Sequence, residues 1–310
     1  MLNDDVSRYI DLRRSLGFKV RATACLLRRY AEFAEARGDS FVQTRTVLDW
    51  AVKAPSAPQR RDRLNAVRQF ARHVHAEDQR HELPPARAFG AHPRPRRMPH
   101  IYAPEEVQRL LRAAAQLRPA GSIRAITYVT LLSLLFSTGL RVSEALALQI
   151  EDITPDGLVV RHAKFRKSRL VPLHPTAREG VERYLAVRRT VRTKDRSVFV
   201  SRWGHGLAYS TVYATFLIAA RSAGLRQGPG TRRGPGRSGC RLHDARHTFA
   251  VRSLESCRGA DADDIARHAL ALSTYLGHAH PSSTFWYLHA TPALMRGIAV
   301  AGESSFGGGP

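Results

Sequence analysis

Cysteine is scarce: Cys25, Cys240 and Cys257 are the only three in 310 residues. They are too few and too scattered for a disulfide framework or a paired-cysteine metal site, so nothing calls for an oxidising compartment and a cytoplasmic setting is expected. The opening residues Met1-Leu2-Asn3-Asp4-Asp5 lack the basic start and apolar block of a signal peptide. Long hydrophobic runs are missing too. The longest, Ile126 to Phe136, is too short to cross a bilayer and carries Thr127, Thr130 and Ser133, which predicts a buried core helix. Also absent are a Gly-x-x-x-x-Gly-Lys phosphate loop and an acidic cluster suited to two Mg²⁺ ions. His268, His278 and His280 show no metal-ligand spacing with a carboxylate or cysteine. Neither cofactor nor metal is expected.

Acidic residues are the other shortage. Asp and Glu total 26 against 49 Lys and Arg, a formal net charge of +23, and arginine is far commoner than lysine. The planar guanidinium donates two parallel hydrogen bonds to phosphate, so such a surplus points to a polyanionic partner. A membrane surface would want the charge on an amphipathic helix or beside a lipid anchor, and neither is found. A generally basic chain from an organism with Arg-rich coding is the competing account of composition, so the partner has to be argued from motifs. The hydrophobic share of 43% and the length fit two domains, each with its own core.

Residues 1–83 read as wholly helical. Val6, Tyr9 and Ile10, then Leu26, Leu27, Tyr30 and Phe33, then Leu64, Val67, Phe70, Ala71 and Val74 recur at three-and-four spacing, separated by turn signals at Gly17, Gly38-Asp39-Ser40 and 55–58. On the last helix Arg61, Arg68 and Arg72 share a face opposite the apolar stripe, either along a DNA backbone or simply in solvent. Residues 84–101 form a basic, Pro-rich linker in which Arg94, Arg96 and Arg97 interleave with prolines. A second domain over 102–300 opens on Ala103-Pro104-Glu105-Glu106, a helix start, and Gly139 stops the buried helix that follows. Between Ile153 and Leu173 the pattern becomes strands. Leu158-Val159-Val160 and Arg169-Leu170-Val171-Pro172-Leu173 flank a cationic turn, Lys164-Phe165-Arg166-Lys167. Helix resumes thereafter, interrupted by a Gly- and Arg-rich loop from Gln227 to Gly239, and 301–310 is a flexible tail. The fold class expected is mainly α with a small antiparallel β-sheet.

Three segments carry the chemistry. They are Thr138-Gly139-Leu140-Arg141-Val142-Ser143-Glu144, then His243-Asp244-Ala245-Arg246-His247, then Leu276-Gly277-His278 with Tyr287 nine positions later. Each has a bland reading alone: a helix-end arginine, a chance His-x-x-Arg, a glycine helix terminus, one tyrosine among nine. Together and in order, with a cationic strand turn after the first, they resemble the tyrosine recombinase (phage integrase) family. The resemblance covers about Tyr102 to Met295, and the helical N-terminal region is similar to that family's core-binding (SAM-like) DNA-binding domain. The stretch Tyr287-Leu288-His289-Ala290-Thr291-Pro292-Ala293-Leu294-Met295 resembles the ending of the transposon-encoded branch. One departure is the 35-position interval from His243 to His278, whose polar stretch Arg258 to Asp264 is longer than usual and reads as an insertion.

The resemblance implies a catalytic set of Arg141, Lys164, His243, Arg246, His278 and Tyr287, and the chemistry of phosphodiester exchange accounts for each type. Two guanidinium groups, Arg141 and Arg246, can clamp the non-bridging oxygens as charge develops on them. A phenol with a reference pKa near 10 must lose a proton as it attacks, and His243 can accept it. By alignment of the Arg-Leu-Val-Pro-Leu strand, the family's general-acid lysine falls on Lys164, with Lys167 as competitor for that role or a phosphate-positioning residue. His278 is expected to donate to a non-bridging oxygen. Glu144, one helical turn beyond Arg141, either orients that guanidinium or is an ordinary surface acid. Arg166 and Lys167 join the arginines named above as candidate DNA contacts.

A covalent phosphotyrosine conserves phosphodiester energy, so strands can be rejoined without nucleotide hydrolysis. The expected function is therefore site-specific DNA breakage and rejoining for a mobile element. The expected partners are double-stranded recombination sites and further copies of the chain in a tetramer, with other recombinases or accessory proteins, and no membrane; when DNA-bound the chain would sit on the bacterial nucleoid. Alternatives are chromosome or plasmid resolution, a monomeric type IB topoisomerase-like swivel, and an inactive DNA-binding accessory protein.

Overall fold

The three-and-four spacing of apolar residues becomes eleven α-helices among the described residues. The computed structural model describes residues 2–18, 20–90, 98–161, 168–227, 239–257, 262–277, 284 and 287. The chain divides into two compact units, Met1–Arg96 and Arg97–Pro310.

The first unit is helical throughout: α1 (Leu2–Ser15), α2 (Arg21–Glu35), α3 (Thr44–Val52) and α4 (Ala57–Glu77). Ser56 starts α4 by accepting a hydrogen bond from the Gln59 N–H, with Pro58 in its first turn. The core draws on the predicted stripes, with Ile10, Leu27, Tyr30, Leu64, Val67 and Phe70 fully buried, and adds Leu2 and Trp50, the latter edge-on to Tyr30. Each large apolar side chain so buried contributes about 1.5–3 kcal/mol.

The second unit is built around α6 (Ile123–Thr138), which packs against α5 (Pro104–Ala115), α8 (Pro175–Arg188) and α10 (Asp244–Glu255). Nine of its residues are buried, as the apolar run from Ile126 predicted. The short α7 (Val142–Ala147) follows, then one 3₁₀ turn at Ile150–Asp152. Next comes a three-stranded antiparallel sheet in the order β1 (Ile153–Thr154), β2 (Gly157–Val160), β3 (Arg169–Val171). Leu158 pairs with Val171 and Val160 with Arg169, so residues 161–168 connect β2 to β3. α9 (Tyr209–Ser222) lies against α5 and α7.

α11 (Ala262–Leu276) packs on α10 and reaches β3. The polar stretch expected as an insertion supplies its start: Asp263 and Asp264 sit in the first turn, where acids oppose the helix dipole. A small second core of Ala250, Val251, Leu254, Ala269, Leu272 and Leu276 encloses the ring of Tyr287, which is 3% exposed. Among the described residues no helix is long and apolar enough to cross a membrane.

Candidate active site

Arg141 stands at a forced break in the chain. Gly139 ends α6 in the left-handed region (φ 61°), its N–H bonded to the Leu135 carbonyl. A Cβ there would lie 2.5 Å from Phe249 Cδ1 and 3.0 Å from Leu276 Cδ2. Glycine is thus required twice, for the backbone turn and for the close approach of α10 and α11. Two residues on, Arg141 takes the N-cap position of α7, with its N–H bonded to Glu144 Oε2 at 3.1 Å. Its guanidinium donates Nη1 to Glu144 Oε1 at 2.6 Å and Nη2 to the Gly277 carbonyl at 3.2 Å.

Arg246, on α10, is 2% exposed. Nη1 donates to the Gly139 carbonyl at 2.8 Å and Nη2 to the Leu276 carbonyl at 2.7 Å. Burial, then the charge of Arg141, lowers its pKa to about 10, against opposing contributions from Tyr287 and Glu144. It remains a cation at neutral pH. The two arginines predicted as a phosphate clamp therefore converge on the C-terminal end of α11, immediately before His278. Helix carbonyls at that end carry negative partial charge and otherwise lack partners, which is why guanidinium groups are held there.

Glu144 is buried, which by itself would push its pKa up. The hydrogen bonds and charge of Arg169, then those of Arg141, outweigh this and bring it down to about 2. Of the two sequence readings, the buried orienting acid is the one realised. Arg169 donates Nη1 and Nη2 to the two Glu144 oxygens at 3.2 and 2.7 Å and Nε to the Tyr275 carbonyl at 2.8 Å.

His243 opens α10. It reaches solvent, yet the protein packed around its ring, followed by the charges of Arg246, Arg141 and Arg241, holds its pKa below the ordinary imidazole value of 6.5. Its ring meets His247 edge-on at 4.8 Å between centroids, and His247 in turn lies 5.4 Å from the Tyr287 ring. The start of α10 is fixed from both sides. Asp244 accepts from the Arg241 N–H at 2.7 Å, and Tyr102 donates its N–H to Thr248 Oγ1 and its hydroxyl to the Arg241 carbonyl.

Arg141, His243, Arg246 and Tyr287 are thus gathered around α10 and the end of α11. His278, Lys164, Arg166 and Lys167 lie outside the described residues, as do Arg94, Arg96 and Arg97. On α4, Arg72 is exposed, Arg61 is half-buried, and Arg68 donates Nε to the Pro84 carbonyl at 2.7 Å. Two further residues of this region escaped sequence reasoning. His247 has no role of its own in the sequence reading, although its spacing of four from His243 puts both rings on one helix face. Arg169 reads in the sequence only as part of a strand. Its alternation with the buried Val171 was the available signal that it points inward.

The phage integrase family model matches residues 101–293. The provisionally named integrase/recombinase y4rB of Sinorhizobium fredii is 38% identical over 94% of this chain and 93% of its own length. The tyrosine recombinase XerC of Azotobacter vinelandii is 31% identical over 73% of this chain and 67% of its own. Among solved structures, a lambda integrase tetramer bound to a Holliday junction superposes with a TM-score of 0.62 at 18% identity, covering 92% of this chain and 76% of that one, a likeness of fold. With the family model covering more than half of the chain and a relative this similar along nearly its whole length, the protein belongs to the phage integrase family, the tyrosine-type DNA recombinases.

Proposed function

We propose that the chain breaks and rejoins DNA at specific sites for the movement of a mobile element, with Tyr287 as nucleophile. The phenolic oxygen attacks the scissile phosphorus and forms a 3′-phosphotyrosine, and the bond from phosphorus to the 5′-oxygen breaks. The phenol's proton passes to His243, and Lys164 protonates the departing oxygen. Arg141, Arg246 and His278 stabilise the charge that develops on the non-bridging oxygens. A 5′-hydroxyl from a second strand then reverses the chemistry and reseals the DNA. Residues 1–83 serve as a core-binding DNA domain, 84–101 as a basic linker and 102–300 as the catalytic domain, with four copies assembled on paired sites in the bacterial cytoplasm.

The observation that carries this reading is the convergence of Arg141 and Arg246 on the carbonyls just before His278, with His243, His247 and Tyr287 in one run of neighbouring rings. The mobile-element role is supported by the similarity to y4rB along almost its full length and by the ending at 287–295. Similarity to XerC supports a second reading, resolution of chromosome or plasmid dimers.

A nicked suicide substrate tests the chemistry. Wild type should leave a covalent complex that survives denaturation, and Tyr287→Phe should bind the same DNA and leave none; specific binding without an adduct by wild type would sink the proposal. A sulfur leaving group should rescue Lys164→Ala and not Arg246→Ala, whereas rescue of Lys167→Ala would move the acid to that residue. Recombination that requires a second, different recombinase would favour resolution.

A further inference from the structure

Three successive backbone carbonyls at and just past the end of α11 each accept a hydrogen bond from a different arginine. Tyr275 is bonded by Arg169, Leu276 by Arg246 and Gly277 by Arg141. Arg141 and Arg246 have a proposed use on phosphate; Arg169 has none. Its three donor nitrogens are all engaged inside the protein, two on Glu144 and one on Tyr275, and its side chain is 13% exposed against 28% for Arg141. Gly277 is shaped around it. With φ at 66°, a Cβ there would stand 2.9 Å from Arg169 Nη1.

We propose that Arg169 is a positioning residue for strand cleavage, which occupies both oxygens of Glu144 so that Arg141 is held without being neutralised. The inference rests on the function proposed above. A carboxylate with only one arginine nearby draws that guanidinium into a two-point ion pair. Here Arg169 holds the two-point arrangement, and Arg141 meets the same carboxylate through a single guanidinium nitrogen, its second contact going to Gly277. One carboxylate shared between two guanidinium groups also leaves a net positive charge for the scissile phosphate. Lysine could supply the charge at 169 but not the planar fork. Arg169 additionally ties the start of β3, into which the connection carrying Lys164 leads, to the helix end preceding His278.

The test is single-turnover cleavage of a suicide substrate by the full chain, with either a phosphate or a neutral methylphosphonate at the scissile position. Loss of positioning by about an ångström costs on the order of 100-fold, the expected defect of Arg169→Ala on phosphate. On methylphosphonate one of the charges the clamp meets is gone, and the gap from wild type should shrink to less than about 10-fold, as it should for Arg141→Ala. Arg169→Lys, the milder change should Arg169→Ala fold poorly, should show the same contrast on a smaller scale while binding DNA like wild type. An equal defect on both substrates would mean that Arg169 only stabilises the fold, and wild-type rates in Arg169→Lys would refute the two-point arrangement; either result overturns the proposal. Failure of wild type itself to form an adduct would instead overturn the functional reading.

Discussion

Replacing Glu144 with glutamine preserves the shape of the side chain and removes its charge from between Arg141 and Arg169. The fall in the carboxyl pKa from 4.5 to about 2 measures how much the folded protein prefers the ionised form. At about 1.4 kcal/mol per pKa unit this is roughly 3 kcal/mol at neutral pH. For a unit of this size such a loss lowers the melting temperature by roughly 6–12 °C. Because the folded value lies below the unfolded one, the contribution is complete above the unfolded value and is lost as pH falls through the folded one. The gap between wild type and Glu144→Gln, followed by differential scanning calorimetry or urea melts, should therefore narrow from about 3 kcal/mol at pH 7 to about 2 at pH 3.5. A gap that stays constant with pH would show that the charge of Glu144 is not what the two arginines require. Equal stability of the two proteins at pH 7 would refute the reasoning outright.

Gly139→Ala should destabilise the protein by roughly 2–4 kcal/mol, from a left-handed backbone and a methyl pressed against Phe249, read as a shift of the urea midpoint. His243, with its pKa held below 6.5, is already neutral at physiological pH. Single-turnover cleavage should then be insensitive to His243 titration from about pH 7 to 8 and fall at lower pH as the base is protonated, and a rate that rises on acidification would remove His243 as acceptor. With a formal charge of +23, binding to a duplex should weaken by roughly 10³ or more between about 50 and 200 mM salt, and a flat response in a fluorescence-anisotropy titration would contradict phosphate contacts as the main source of affinity.

Local rules were enough to read α6 and its stop at Gly139, because an apolar run and a glycine declare themselves within a few residues. The β2–β3 pairing was legible for the same reason, from two apolar strands around a basic turn. The order of Arg141, His243, Arg246 and Tyr287 could be read, but their closeness depends on hydrogen bonds such as that from Arg141 to Gly277, 136 positions away. Periodicity carries no information at that range. Arg169 shows the limit best: its strand was evident, yet its value lies in partners 25 and 106 positions distant. The polar stretch Arg258 to Asp264 reads as an insertion with no element assigned, because Asp is a poor residue for helix interiors, whereas Asp263 and Asp264 occupy the first turn of α11, where it is favourable.

The three arginines bound to the end of α11 also impose an order in time. Arg141 leaves the ribosome 136 residues before the carbonyl it will bond, and Arg169 leaves 106 residues before its own. At roughly 5–20 residues per second, the first of these waits about 7–27 seconds for its acceptor. During that interval the arginines already made have no shared anchor. The helix that finally aligns them is completed only eleven residues before Tyr287 is added. Alignment of the proposed clamp and arrival of the proposed nucleophile are therefore nearly simultaneous, and a chain cut short before residue 275 lacks the carbonyls that hold the three arginines as well as Tyr287.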